Sequence, residues 1–236
     1  MKRRQFLLSS PAALYAADTQ PKLLLPSDIP DALGFRQMWY SPVPPIDQAK
    51  WRLQVSGLID KPAEFTVADL RKLPHFEQSS RMKCVQCWSS RTSWGGFRFA
   101  SLLALVKPVR NARAIRIDCA DKWYEYMTLE EMADPAVLMA MDMAGKPLTA
   151  SHGAPLRLLD PSKYGYKSAK LITKITFVAE GKGSMACDLG PYYSPGGEIL
   201  PGYDTPLDLH PEAAKPGWKL NPQARRKIKG GEITEY

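Results

Sequence analysis

Cys84 is the residue of this chain best suited to metal or redox chemistry. It lies in Arg81-Met82-Lys83-Cys84-Val85-Gln86-Cys87-Trp88-Ser89, where the neighbouring cations favour the thiolate, the form that acts as nucleophile and as metal ligand. Cys84 and Cys87 form a CxxC, a spacing compatible with a redox dithiol, half of a zinc site, or two buried structural cysteines. A thioredoxin-type dithiol opens a helix, yet Trp88 to Gly96 carries no helical apolar period. Structural zinc needs two more ligands, and Cys119, Cys187, His75, His152 and His210 include no second closely spaced pair. A soft metal on a single thiolate suits the stretch better.

Two further segments carry groups able to hold an anion or a cofactor. Gly145-Lys146-Pro147-Leu148 leads to His152-Gly153-Ala154-Pro155-Leu156-Arg157, and Lys163-Tyr164-Gly165-Tyr166-Lys167-Ser168-Ala169-Lys170 follows. Taken singly, Arg157 reads as a strand-edge cation, Lys167 and Lys170 as a solvated face, His152 as a hydrogen-bonded structural histidine, and Tyr164 and Tyr166 as core aromatics. Their order behind Cys84 is far more specific than any one of them.

The elements that must position these residues read as a mixture of strands and short helices. Trp51 to Val55 alternates apolar and polar residues as a half-buried strand does, and Ser56-Gly57 reads as a turn. Further strands are expected at Ala114 to Asp118, Val137 to Met141, Leu156 to Leu159 and Ile172 to Val178. Thr66 with Asp69, and Thr128 with Glu131, are capping boxes that open short helices, and another helix is expected over Phe99 to Val106. The fold class is therefore α+β. No internal repeat, GxGxxG or P-loop occurs.

At 236 residues, 44% of them hydrophobic, the chain is long enough to bury one sizeable core. Residues 1–17 combine Lys2-Arg3-Arg4, the apolar Phe6-Leu7-Leu8 and a run of small residues, and read as a twin-arginine signal, which exports folded, cofactor-loaded proteins. An ordinary secretory signal is the alternative. Residues 18–50 read as an extended proline-rich arm, 51–180 as the core, and 181–236 as a loop-rich tail packed on the same domain. Export to the periplasm puts the four cysteines in an oxidising compartment, where a Cys119–Cys187 disulfide is one option. The formal charge is +8, and losing Lys2, Arg3 and Arg4 lowers it by three. Cations are spread along the chain except at Arg225-Arg226-Lys227-Ile228-Lys229, which suits a solvated or partner-docking surface and not a nucleic-acid site.

The combination of Cys84, the His152 to Arg157 segment and the Tyr164 to Lys170 segment, over about Trp51 to Val178, resembles the sulfite oxidase-type molybdopterin domain. Arg81 to Ser89 and Tyr164 to Lys170 look most like its periplasmic methionine-sulfoxide reductase catalytic subunits. The resemblance implies a mixed, β-rich fold and a cofactor of molybdenum with one pyranopterin. It makes Cys84 the metal ligand and a catalytic residue, and Trp39, Tyr40, Cys119, His152, Arg157, Ser168, Ala169 and Lys170 cofactor contacts. The reductases carry asparagine at His152, where histidine is the sulfite oxidase choice, and threonine at Cys119; Cys87 replaces a small residue. Trp94-Gly95-Gly96-Phe97 matches a tryptophan-glycine turn expected to serve packing. Arg91 and Arg98 are candidates to orient a substrate oxygen, Arg91 being the catalytic candidate.

The function implied is two-electron oxygen-atom transfer, with reduction of a sulfoxide such as methionine sulfoxide ahead of sulfite-type oxidation. A cofactor-free binding or electron-transfer accessory protein is the alternative of another class, and a thiol–disulfide enzyme a weaker one. No CxxCH haem attachment occurs, so an external redox partner, a membrane haem protein or c-type cytochrome, is implied. The chain carries no immunoglobulin-like dimerisation domain of the sulfite oxidases, which points to a monomer.

Overall fold

The computed structural model describes residues 31–35, 40, 44–84, 89–181, 183–189 and 193–199, together with the backbone of three short strands at Tyr203–Asp204, Arg226–Lys229 and Glu232–Ile233. The expected signal, Trp39, Cys87 and, in the Pro42-Val43-Pro44 turn, Pro42 and Val43 lie outside the described residues.

Two sheets carry the fold. The first is built from β1 (Leu53–Gly57), β2 (Ala63–Phe65), β5 (Ala114–Cys119), β6 (Tyr124–Thr128) and β10 (Ile172–Val178), in the order β2-β1-β10-β5-β6. Only β1 and β10 run parallel in it. The second is built from β3 (His75–Lys83), β4 (Ser89–Phe97), β7 (Leu138–Met143) and β8 (Lys146–Pro147), with β9 (Arg157–Leu159) also pairing with β7. Strand β7 is buried at nearly every position, as a central strand covered on both faces must be.

Among the described residues the α-helices are short: α1 (Val67–Arg71), α2 (Phe99–Val106), α3 (Leu129–Met132) and α4 (Met185–Leu189). Both expected capping boxes are formed, Thr66 with Asp69 and Thr128 with Glu131, so α1 and α3 begin where the sequence says. Helix α2 lays Phe99, Leu102 and Val106 into the core. Arg71 holds α1 against β7 with a bidentate pair to Asp142, 2.8 Å on each arm.

The larger apolar cluster joins the first sheet to α2 through Leu53, Ile115, Ile117, Phe99, Leu102 and Phe177. A smaller one, with Phe35, Met82, Trp94, Leu138 and Leu159, lies on the second sheet. Among the candidate site residues, Arg157 contacts this smaller cluster through Met82 and Trp94, while Cys119 and Ala169 belong to the larger one.

Two expectations are corrected. Trp94 to Phe97 forms no turn: it is the end of β4, with a register shift against β7 between Gly95 and Gly96. A Cβ on Gly96 would stand 2.1 Å from the Met139 carbonyl oxygen, so the two strands pair here only through glycine. Ser56-Gly57 likewise forms no turn but is the end of β1, in register with Thr176 and Phe177 of β10. Beyond residue 181 the described residues include α4, and β11 (Tyr203–Asp204), β12 (Arg226–Lys229) and β13 (Glu232–Ile233) form a small antiparallel sheet.

Candidate functional site

The β3–β4 hairpin delivers Cys84. Alternation along β3 buries Ser80 and Met82, and the chain leaves the strand at Lys83 with Cys84 buried directly after it. Lys83 is also buried, its Nζ 5.9 Å from the centre of the Tyr164 ring, and its backbone bridges to Tyr164. The cysteine and the Tyr164 to Lys170 loop are therefore neighbours in space.

Arg157, at the start of β9, is 5% exposed. Its Nη1 donates to the His152 carbonyl at 2.9 Å, its Nη2 to the Met82 sulfur at 3.5 Å, and its guanidinium lies 5.0 Å from the Trp94 ring centre. Met82 is two residues before Cys84 in the chain. Nε has no hydrogen-bond acceptor among the described residues, and burial alone pushes the guanidinium down to about 10. Trp94 thus contributes more than packing: it is the surface on which this cation rests.

His152 and Lys170 meet through Gly153. That glycine has φ +98°, and a Cβ on it would stand 2.4 Å from Lys170 Cβ. Leu171 N–H donates to the Gly153 carbonyl, and Leu158 N–H to that of Ala169, so the His152 to Arg157 segment and the Ser168 to Lys170 segment form one wall. His152 Nε2 lies 2.8 Å from Asp31 Oδ2. Burial holds the imidazole below its ordinary value, outweighing the Asp31 charge, with Arg157 and Lys170 adding to the depression.

Cys119 ends β5 and is buried, with the Lys170 backbone N–H donating to its sulfur. Burial, then the charges of Asp121, Asp118 and Glu125, push this thiol well up, so it stays protonated. Asp121, buried in the turn after β5, accepts the N–H of Tyr40 at 3.2 Å and of Trp123 at 3.3 Å. Burial raises its pKa against those bonds and the Lys170 charge. Tyr40 is edge-on to Trp123, and the buried Trp123 Nε1 also lacks an acceptor among the described residues.

The structure therefore gathers Cys84, Arg157, His152, Lys170, Cys119 and Tyr40 along a connected set of contacts. It spends others elsewhere. Ser168 Oγ accepts from Asp160 N–H, and the Ser168 and Ala169 amides donate within their own loop, to the Gly165 and Lys167 carbonyls. Arg98 donates to Gln78 at 2.6 Å and to the Val137 carbonyl at 3.0 Å, at the end of the hairpin far from Cys84. Arg91 is exposed and pairs in register with Arg81, two rungs from the Lys83–Ser89 pair. Lys167 is no solvated cation: its Nζ donates to Glu125 at 2.6 Å and to the Tyr126 and Pro195 carbonyls, all buried or half-buried. Cys119 and Cys187 are free thiols, so the disulfide option between them is not taken. Asp31 and Asp121 escaped the sequence reading, since each partners residues far along the chain and neither falls in a motif.

The profile of the oxidoreductase molybdopterin-binding domain matches residues 40–185, well over half of the chain, and the chain belongs to that family. It is similar to the protein-methionine-sulfoxide reductase catalytic subunit MsrP of Campylobacter jejuni, 30% identical over 202 residues, 78% of this chain and 64% of that protein. It is also similar to the MsrP of Ralstonia nicotianae, 36% identical over 144 residues, 54% of this chain and 44% of that protein. The chain thus spans under two-thirds of the length of each. Among solved structures, the sulfane dehydrogenase SoxCD of Paracoccus pantotrophus superposes with a TM-score of 0.57 at 20% identity, covering 61% of this chain and 42% of that one, a likeness of fold.

The donor set fits the cofactor of that family. Among the described residues, Arg157 Nε and Trp123 Nε1 are buried donors without acceptors, and no carboxylate pairs with the Arg157 guanidinium. An anionic group rich in acceptors is what such a set lacks.

Proposed function

We propose that this protein is a molybdenum-cofactor-dependent oxidoreductase that carries out two-electron oxygen-atom transfer, reducing a sulfoxide of the methionine sulfoxide type. The observation that carries the reading is the Arg157 guanidinium, buried on Trp94, bonded to His152 and Met82, and left with an unmatched donor beside the Cys84 strand end. A buried cation without an anion is costly, and a pterin phosphate in bidentate contact offsets that cost in a way lysine could not copy.

When bound, a molybdenum–pyranopterin would supply the two electrons that reduce the sulfoxide and accept its oxygen atom, and the external donor would restore those electrons. The chain's residues divide the remaining work. Cys84, as thiolate, ligates molybdenum through soft sulfur. Arg157 and Lys170 hold phosphate charge, with Lys170 acting through its ammonium because its amide already bonds Cys119. Cys119, kept as a thiol, offers an S–H and does not compete as a second thiolate. Tyr40 and Trp39 close the arm side, and the Ser168-Ala169 backbone shapes the loop behind the cations. Arg91, exposed two rungs from the strand end with its Nη1 3.5 Å from the Ser79 carbonyl, would have to turn toward Cys84 to meet the substrate oxygen.

The two MsrP relatives support the sulfoxide, and residues 1–17 support twin-arginine export to the periplasm, with electrons from a membrane haem protein or c-type cytochrome. His152, the sulfite oxidase choice, favours sulfite oxidation as the second reading. The test is turnover by loaded protein: methionine sulfoxide reduction with a reduced dye as donor, against sulfite oxidation with an oxidised dye as acceptor. Sulfoxide turnover abolished in Cys84→Ala is the expected result. Sulfite turnover that weakens steeply with salt would move the assignment to the second reading, and turnover of neither by loaded protein would overturn both.

A further inference from the structure

The segment 31–35 does more than cover the domain. Asp31 Oδ1 accepts the N–H of Leu33 at 2.8 Å and of Phe35 at 2.9 Å, which leaves Oδ2 for His152 Nε2 at 2.8 Å. The turn is closed by Asp31 N–H on the Phe35 carbonyl and Gly34 N–H on that of Asp31, both 2.9 Å. Phe35, 2% exposed, stands edge-on to His152 at 5.9 Å and to Trp94 at 5.7 Å between ring centres. Ser90 Oγ on β4 donates to the Leu33 carbonyl. The carboxylate is thus oriented from its own turn, and the turn is anchored on both the hairpin and the site.

We propose that Asp31 is a positioning residue of the cofactor site: it fixes His152 as the Nε2–H tautomer, with Nδ1 the acceptor of the ring, and holds the imidazole in the orientation from which it meets the bound pyranopterin. The inference rests on the function proposed above. Among the described residues, the charged groups about the ring are Asp31 from the arm, Arg157 from β9 and Lys170 from the loop before β10. Burial and the two cations hold the ring neutral at pH 7 against the pull of Asp31. A neutral imidazole has one donor and one acceptor nitrogen, and the hydrogen bond made by one fixes the role of the other. The outer-sphere partner of a site histidine acts in this way, and losing it typically costs about 10-fold or more in retention or activity.

The test starts from nitrogen NMR of the full chain without cofactor, in which only three histidines contribute. In the wild type, His152 carries its proton on Nε2 at neutral pH. In Asp31→Ala that preference is lost and the His152 pKa falls further. In Asp31→Asn the amide oxygen still accepts, so the tautomer holds while the pKa falls. Unchanged His75 signals confirm that each variant is folded. Molybdenum and pterin retention in loaded protein then falls about tenfold in Asp31→Ala and stays close to wild type in Asp31→Asn. An unchanged tautomer in Asp31→Ala overturns the proposal, and so does full cofactor retention despite a lost tautomer. If Asp31→Ala does not fold, an unchanged His152 pKa in Asp31→Asn overturns it. Failure of the function itself has a different signature: the tautomer behaves as described, but no variant, nor the wild type, takes up pterin.

Discussion

On the function proposed, Arg157 is costly to the cofactor-free chain and needed by the loaded one. Its guanidinium is buried, depressed by desolvation, and matched by a carbonyl, a thioether and an indole face in place of a carboxylate. Arg157→Met keeps most of the volume and removes the uncompensated charge. We expect it to raise the urea midpoint of the cofactor-free chain while lowering pterin content about tenfold or more, the two effects having opposite sign. A fall in both would mean that Arg157 is a structural cation only. Arg157, His152 and Cys84 were legible as a constellation because their order and segment chemistry are specific. Asp31 and Asp121 were not, since a carboxylate in a short turn announces nothing until the chain brings a histidine or a distant N–H to it.

At the scale of elements, the site hangs on the β3–β4 hairpin, and that hairpin was the least legible part of the fold. Ser89 to Ser93 is wholly polar and shows neither helical nor strand periodicity in apolar residues. Pairing over nine residues with β3, together with burial of Trp94 under Arg157, makes it a strand. The strands β5, β7, β9 and β10 were read to within a few residues, because continuous apolar runs and alternation survive tertiary context. Gly96 is the tightest point of the hairpin's attachment to β7. Gly96→Ala forces a backbone–Cβ overlap that no rotamer relieves and should cost about 1–3 kcal/mol or more. Denaturant midpoints check the cost, and cofactor content should fall with it, since Cys84 leads out of the same hairpin. A stable Gly96→Ala protein with normal cofactor would separate that attachment from the site.

Across the whole molecule, the Lys167–Glu125 pair ties the site loop to β6 and to the 194–197 segment, which supplies the Pro195 carbonyl to Lys167. The partners are 42 residues apart in sequence, beyond the reach of any local pattern. Removing one member of a buried pair leaves the other uncompensated, so Lys167→Met should cost about 3–5 kcal/mol. The double change Lys167→Met with Glu125→Leu should recover most of that loss in thermal unfolding. Burial pushes the Glu125 carboxyl up to about 7 against the lowering influence of Lys167, Ser184 and the Tyr126 N–H. A carboxyl that holds its proton more tightly folded than unfolded stabilises fully below its unfolded value, about 4.3, and that share is lost as pH rises through about 7. Stability of the cofactor-free chain should therefore decline between about pH 5 and 8 through this group. Glu125→Gln should flatten the decline while lowering stability throughout, as urea midpoints at several pH values will show.

The central claim is that Cys84 holds molybdenum beside the Arg157 and Lys170 cations. The direct measurement is molybdenum content and metal–sulfur coordination, by X-ray absorption, in protein purified from a molybdate-fed host able to make the cofactor, beside Cys84→Ala. The account expects near-stoichiometric molybdenum and pterin in the wild type, with one sulfur ligand fewer in the variant. Loaded protein whose sulfur coordination is the same with and without Cys84, or wild type carrying neither metal nor pterin, would contradict it.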